Sequence, residues 1–233
     1  KGIKNAISTT AIIAVTSGIF LLITGLLIAK PILEALDTPE DVIDLAVLYL
    51  RIYSLGMPFM MIYNFGAAIL RSLGDTKRPF YSLVVAGAIN VGLNLLLVIE
   101  FEMSVAGVAV ATVISNIVNA GIIVFFLTHE KGVFRLELKQ LSISKAELKK
   151  ILQIGVPAGI QGMVFSISNV FVLATINSFG SAAVAGSSAA LNYEYYCYFV
   201  VSAFAQATVA FTSQNYGAGQ IERCKTIFRQ SML

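Results

Sequence analysis

Residues 6–29, AISTTAIIAVTSGIFLLITGLLIA, run for 24 positions without a charge. Crossing the hydrocarbon core takes about 20 mainly apolar residues as a helix, because lipid offers no partner for an open backbone amide or carbonyl. The stretch is long enough to span. It is too long for a secretory leader and lacks the small-residue cleavage site of one. Five more runs of the same kind follow, at approximately residues 45–70, 80–99, 104–128, 151–178 and 187–212, each edged by charges. Composition agrees: the 233 residues are 57% hydrophobic and only 12% charged, with a mean hydropathy of +0.82, whereas a soluble domain carries ~25% charged residues. The alternation of a membrane β-strand, about ten residues long, is absent. The sequence therefore predicts an all-α, polytopic transmembrane bundle with about six membrane helices.

Lysine and arginine orient the chain. Fourteen of the 16 basic residues fall in alternate loops: Lys1 and Lys4; Arg71, Lys77 and Arg78; the six between Lys131 and Lys150; and Arg223, Lys225 and Arg229. The opposite loops keep Lys30 and collect acids such as Glu34, Asp37, Asp44, Glu100 and Glu102, while Arg51 sits just inside the second run. The basic side is cytoplasmic by the positive-inside rule. RSLGDTKRPF, Arg71–Phe80, then reads as a tight cytoplasmic hairpin. Gly74 suits the end of one helix, Asp75 or Thr76 caps the next, and Pro79 stands in its first turn. Arg71, Lys77 and Arg78 anchor it among anionic headgroups at about 1 kcal/mol each. With so many other cytoplasmic charges present, loss of Arg78 alone is expected to be nearly silent.

Several function classes are excluded. The basic residues are divided among four loops, so there is no continuous basic face for nucleic acid. Cys197 falls in the sixth run and Cys224 in a cytoplasmic segment, which argues against a disulfide. His129, beside Glu130 and Lys131, reads as a solvated loop residue rather than a proton relay. No HExxH, no clustered cysteines and no histidine placed to activate a serine are found, so neither a catalytic nor a metal site is expected.

The runs are interrupted in telling ways. SLGMPFMM (Ser54–Met61) and QIGVPAGIQG (Gln153–Gly162) each carry Gly-x-Pro, which frees a backbone carbonyl and bends a membrane helix. Such breaks are frequent in transporters and also serve purely structural ends. Polar residues at membrane depth include Asn90 and Asn94, four apart and so on one helix face, and Asn116 and Asn119. Gln161, Ser166, Ser168 and Asn169 lie in the fifth run. Asn192, Tyr193, Glu194, Tyr195, Tyr196, Tyr198 and Gln206 lie in the sixth. For a single Asn, helix-to-helix bonding is the plainer role. Glu194 differs: it is the only acid well within a run, and an intramembrane carboxylate is costly enough to be a functional candidate, unless its depth is interfacial. The tyrosines around it suit either an organic cation or an interfacial aromatic belt.

Taken in order, TPEDVIDLAVLYLRIYSLGMPF, AILRSLGDTKRPFYSLVVAGAINVGLNLLLV, SVAGVAVATVIS, QIGVPAGIQGMVFSISNVFVLATINSFGSAAVAG and FTSQNYGAGQIERCK resemble blocks of the multidrug and toxic compound extrusion (MATE) transporters. The resemblance implies two pseudo-symmetric bundles of six helices about a cavity. It implies export of small organic, cationic drugs in exchange for Na⁺ or H⁺ by a monomeric, multi-pass protein of a prokaryotic plasma membrane, without a bound cofactor. On that alignment residue 1 falls just before the family's third helix and the chain stops as the ninth begins. Residues 1–128 then belong to the N-terminal bundle, 129–150 form a cytoplasmic linker ending in an amphipathic interfacial helix, and 151–233 start the C-terminal bundle. Some members carry an Asp where this chain has Asn94, four after Asn90. An amide can ligate Na⁺ but cannot cycle a proton. Glu194, Asn90, Asn94, Asn169, Gln161, Tyr193 and Gln206 are the candidates for substrate or ion. The alternative within the superfamily is a flippase of lipid-linked oligosaccharide, whose cavity needs several cations for pyrophosphate. The runs here supply essentially Arg51.

An impermeant thiol reagent applied to intact cells is expected to leave Cys224 unlabelled until the cells are permeabilised, because Cys224 shares the side of Lys139. Equal labelling before and after would overturn the orientation.

Overall fold

The computed structural model describes residues 2–35, 40–177, 179 and 181–232. Lys1 and Asp37, two of the charges that orient the chain, lie outside them. Regular structure among the described residues is helical throughout, as an all-α bundle requires. Two compact units form, Lys1–Leu148 and Lys149–Leu233.

In the first unit, α1 (Gly2–Ala35) packs on α2 (Glu40–Leu55) and α3 (Met57–Ser72), while α5 (Ser104–Thr128) packs on α2, α3 and α4 (Lys77–Leu95). The second expected span is a pair of helices bent by 45°. Pro58 has no N–H to give the carbonyl of Ser54, and the chain tightens so that the Gly56 N–H reaches the Tyr53 carbonyl at 2.9 Å. The other Gly-x-Pro does not interrupt its helix: α6 (Lys145–Asn177) runs on through Pro157.

Two glycines set how near the helices come. A Cβ on Gly18 would stand 2.5 Å from the Pro58 Cα, and one on Gly66 would stand 2.3 Å from the Ile123 Cγ2. Backbones that close let α3 lie in contact with both α1 and α5, the packing that lipid favours. The buried core, Ile7, Ala67, Leu70, Ile123 and Leu127, gathers where α1 begins and α3 and α5 end, and Leu136 of the following segment completes it. Outer faces keep large apolar side chains exposed, such as Phe20 and Leu27 on α1 and Val91 on α4, as a lipid-facing surface does.

The hairpin after α3 turns at Gly74, whose φ is +83° and which glycine adopts without a Cβ clash. At the opposite end α4 widens into a π turn, Leu96–Glu100, and a tight corner follows in which Glu102 (φ +50°) and Ser104 (φ +48°) are both left-handed. Residues 129–144 do not hang free. They form short 3-10 turns at Gly132–Phe134 and Leu138–Gln140 and lie back over the first unit.

The linker's end is helical: residues 145–150 are the first turns of α6, begun by a Leu148 N–H to Ser144 carbonyl bond of 2.8 Å. No breaker stands between Lys145 and Ile151, and each residue added to a nucleated helix gains a bond, whereas stopping leaves carbonyls unpaired. In the second unit α7 (Ser181–Gly217) is followed by α8 (Ile221–Ser231), which folds back against it after Gly219, φ +73°. The Cys224 Sγ then lies 3.7 Å from the Thr212 carbonyl.

Gly66→Val is expected to cost about 1–3 kcal/mol by overpacking against Ile123. Gly87→Ala, whose added carbon meets nothing within 4 Å, should leave stability unchanged or slightly raised. Thermal unfolding of both variants in detergent checks this; equal midpoints would mean that α3 and α5 part without cost.

Candidate functional site

The first unit places Ser82, Asn90, Asn94, Ser115 and Asn119 along one seam, between α4 and α5. Asn90 and Asn94 share a face of α4, and the Asn94 Nδ2 donates to the Asn90 carbonyl at 2.9 Å and to its Oδ1 at 3.0 Å. The Asn90 Nδ2 in turn donates to the Ser115 Oγ on α5 at 3.3 Å. About two turns earlier on α4, the buried Ser82 hydroxyl bonds the buried Asn119 side chain. Asn116 faces the bend instead, its Nδ2 3.2 Å from where a Cβ on Gly56 would be. Ser82 and Asn119 satisfy each other and act as a tie between helices. Asn94 is different, since its Oδ1 is withdrawn from the surface with no hydrogen-bond partner. A buried acceptor left open costs about 1–3 kcal/mol. The Asn90 Oδ1 and the Ser115 Oγ, by contrast, already accept bonds from the Asn94 and Asn90 amides.

The remaining candidates stand on the second unit. Gln161 and Asn169 are exposed on α6, and Tyr193, Glu194 and Gln206 are exposed on α7. Tyr195 stacks with Phe199, ring centroids 6.3 Å apart, so part of the aromatic girdle packs along its own helix. Tyr193 and Tyr196 project outward beside Glu194. The described residues bring Asn90 and Asn94 together; Tyr193 and Glu194 are neighbours along α7, where successive side chains diverge. Among them no group of three His, Cys, Asp or Glu side chains is placed to hold a metal. His129 is exposed at the end of α5, its ring against Phe125.

The hairpin after α3 carries a correction. Arg78 is more than one charge among many: its guanidinium pairs with both Asp75 and Glu130 and lies 5.8 Å from the centre of the Phe126 ring. The Asp75 Oδ1 also accepts from the Lys77 and Arg78 amides at 3.0 and 3.1 Å, so Asp75 performs the capping although Thr76 precedes the helix. Burial pushes the Asp75 carboxyl up, but the bonds and charge of Arg78 and the Lys77 amide outweigh it, and its pKa lies below the ordinary value. Glu137 is lowered too, by the bond and charge of Lys4 at 2.8 Å. Both carboxylates thus stabilise the fold above the usual carboxylate range, and that contribution is lost as pH falls through their depressed values. Ser8 and Thr9 were not singled out by the sequence, yet they accept from the Ser142 and Ser144 amides at 2.6 and 3.0 Å. The available signal was a run of hydroxyls at the cytoplasmic start of a membrane helix.

Long apolar helices with a polar seam between two of them define a multi-pass protein of the plasma membrane. The MatE family model matches residues 1–96 and 157–233, and the chain belongs to the multidrug and toxic compound extrusion family, one of transporters and not of enzymes. It is 30% identical over 234 residues to the probable multidrug resistance protein YoeA of Bacillus subtilis (strain 168), with 97% of this chain and 50% of that protein covered. It is 31% identical over 227 residues to the probable multidrug resistance protein YpnP of the same organism, covering 96% and 50%. A solved MOP superfamily transporter from Pyrococcus furiosus shares the fold, with a TM-score of 0.90 at 24% identity over 98% of this chain and 51% of that one. The chain spans about half the length of these relatives.

Arg78→Gln is expected to lower stability by about 1 kcal/mol, the scale of a partly exposed ion-pair network. Lys77→Gln, which removes the same charge from the same turn, should change it much less. Equal shifts in thermal midpoint for the two variants would return Arg78 to a general orienting role.

Proposed function

We propose that the intact protein is a secondary active exporter of small organic cations, driven by entry of Na⁺ or H⁺ through rocking-bundle alternating access. The observation that carries this reading is the family match on both sides of the connecting segment, residues 1–96 and 157–233. Residues 1–128 then contribute to the N-terminal bundle, 129–150 connect, and 151–233 open the C-terminal bundle of a monomeric transporter.

Glu194 is the group that meets positive charge, because it is the one acid well inside a membrane helix and a carboxylate there is retained for a task. Tyr193 offers an aromatic face beside it. Asn90 and Asn94 hold Na⁺ as a transported ion through their side-chain oxygens; as amides they exchange no proton. Gln161, Asn169 and Gln206 supply hydrogen bonds to substrate. Support for the drug class comes from the multidrug resistance names of the two Bacillus relatives.

The test is efflux of a cationic dye from vesicles containing the full-length protein, driven in turn by a Na⁺ and a H⁺ gradient. Glu194→Gln is expected to lower efflux about tenfold, the effect of losing roughly 1.4 kcal/mol. Asn94→Leu should lower only the Na⁺-driven flux. Unchanged efflux in Glu194→Gln at equal protein insertion would make Glu194 a structural residue.

A further inference from the structure

We infer that the cytoplasmic end of the first unit is a binding site for one anionic phospholipid, with its phosphate in a polar cleft at Lys4, Asn5, Arg135 and Gln140 and part of an acyl chain in the apolar cavity alongside. This holds whatever the protein exports.

The segment after α5 is strapped onto the first unit. The Leu136 amide donates to the Leu127 carbonyl at 2.9 Å, Lys4 pairs with Glu137 at 2.8 Å, and Ser8 and Thr9 hold the amides of Ser142 and Ser144. Two concavities lie along this strap. One, of about 180 Å³, is lined by Lys4, Asn5, Ser8, Arg135, Glu137 and Gln140 among others, and its walls are mainly polar. The other, of about 130 Å³, lies between α1, α3, α5 and the strap, and includes Ala11, Phe65, Gly66, Val124, Leu138 and Leu141; its walls are almost wholly apolar. Leu136 lines both.

The order of the two matches a phospholipid. From Ser8, which lines the polar cleft, to Ala11, which lines the apolar one, α1 advances three residues, a rise of about 4.5 Å into the membrane. Phosphate and hydrocarbon follow one another in the same sense. Charge also fits: Lys4 and Arg135 against Glu137 leave one net positive charge, the complement of one phosphodiester. Anionic lipid enriches this leaflet and draws basic side chains. An apolar void of this size is dry and takes hydrocarbon; left empty, its walls lose their dispersion contacts. A soluble phosphate would use the cleft and leave that cavity unfilled.

The experiment reconstitutes the full chain in phosphatidylcholine nanodiscs containing about 20% phosphatidylglycerol, the anionic lipid of the test. After mild detergent extraction, native mass spectrometry counts the lipid retained. One phosphatidylglycerol per chain is expected, in preference to phosphatidylcholine, and excess inorganic phosphate should neither displace it nor bind the delipidated protein. Arg135→Gln, which removes a headgroup contact, and Ala11→Phe, which fills the cavity, should each weaken retention about tenfold, with helicity unchanged by circular dichroism. Should Ala11→Phe fail to fold, Leu141→Gln on the strap reads the same cavity. Equal retention of the two lipids, or phosphatidylglycerol retained as well by Arg135→Gln, would overturn the headgroup contact. Full retention by the cavity variant would overturn the acyl contact, and displacement by phosphate would make this a free-anion site.

Discussion

Gly18 against Pro58 and Gly66 against Ile123 are the contacts on which the first unit rests. In lipid an apolar side chain gains nothing by leaving hydrocarbon for a neighbouring helix, so association depends on how closely backbones approach and how many atoms then touch. α3 takes part in both crossings, with Pro58 toward α1 and Gly66 toward α5. The core where α3 and α5 end, with Leu70, Ile123 and Leu127 buried together, is possible only at that spacing. The strap then has a floor to lie on, and Leu136 buries itself there.

The polar groups divide by whether they are satisfied. Ser82 and Asn119 are buried and bonded to each other, which removes the cost of their burial and fixes the rotation of α4 on α5. Asn90 leans on Ser115 and carries Asn94, but the chain of bonds ends with the Asn94 carbonyl oxygen open. One seam therefore holds both a structural tie and an unspent acceptor.

What the sequence made legible is what depends on neighbours along the chain. Apolar length located the spans, Gly56 and Pro58 marked the bend, and Gly74 with Asp75 marked the cytoplasmic turn, because each follows from local backbone chemistry. Contacts between distant residues were not legible. Lys4 and Glu137 are 133 residues apart, and nothing in either neighbourhood distinguishes that pair from many other lysines and glutamates. Arg78 shows the same limit: as a letter it is one of several cytoplasmic charges, and only the fold gives it Glu130 and Phe126. At the linker's end the amphipathic pattern marked a helix, but such a pattern is the same over residues 145–150 whether the helix stops or continues. Glu194 stood out by its rarity at depth, while its partners require helices that local pattern cannot assemble.

The π turn at Leu96–Glu100 divides α4 mechanically. A π turn is an α-helix holding one surplus residue, so its return to regular winding would rotate whatever follows by about 100° and advance it by about 1.5 Å. The corner beyond is already strained, with Glu102 and Ser104 left-handed at a cost of about 1–2 kcal/mol each. Such a change would turn Ile99 and Glu100 while Asn90, before the surplus residue, kept its bond to Ser115 on α5.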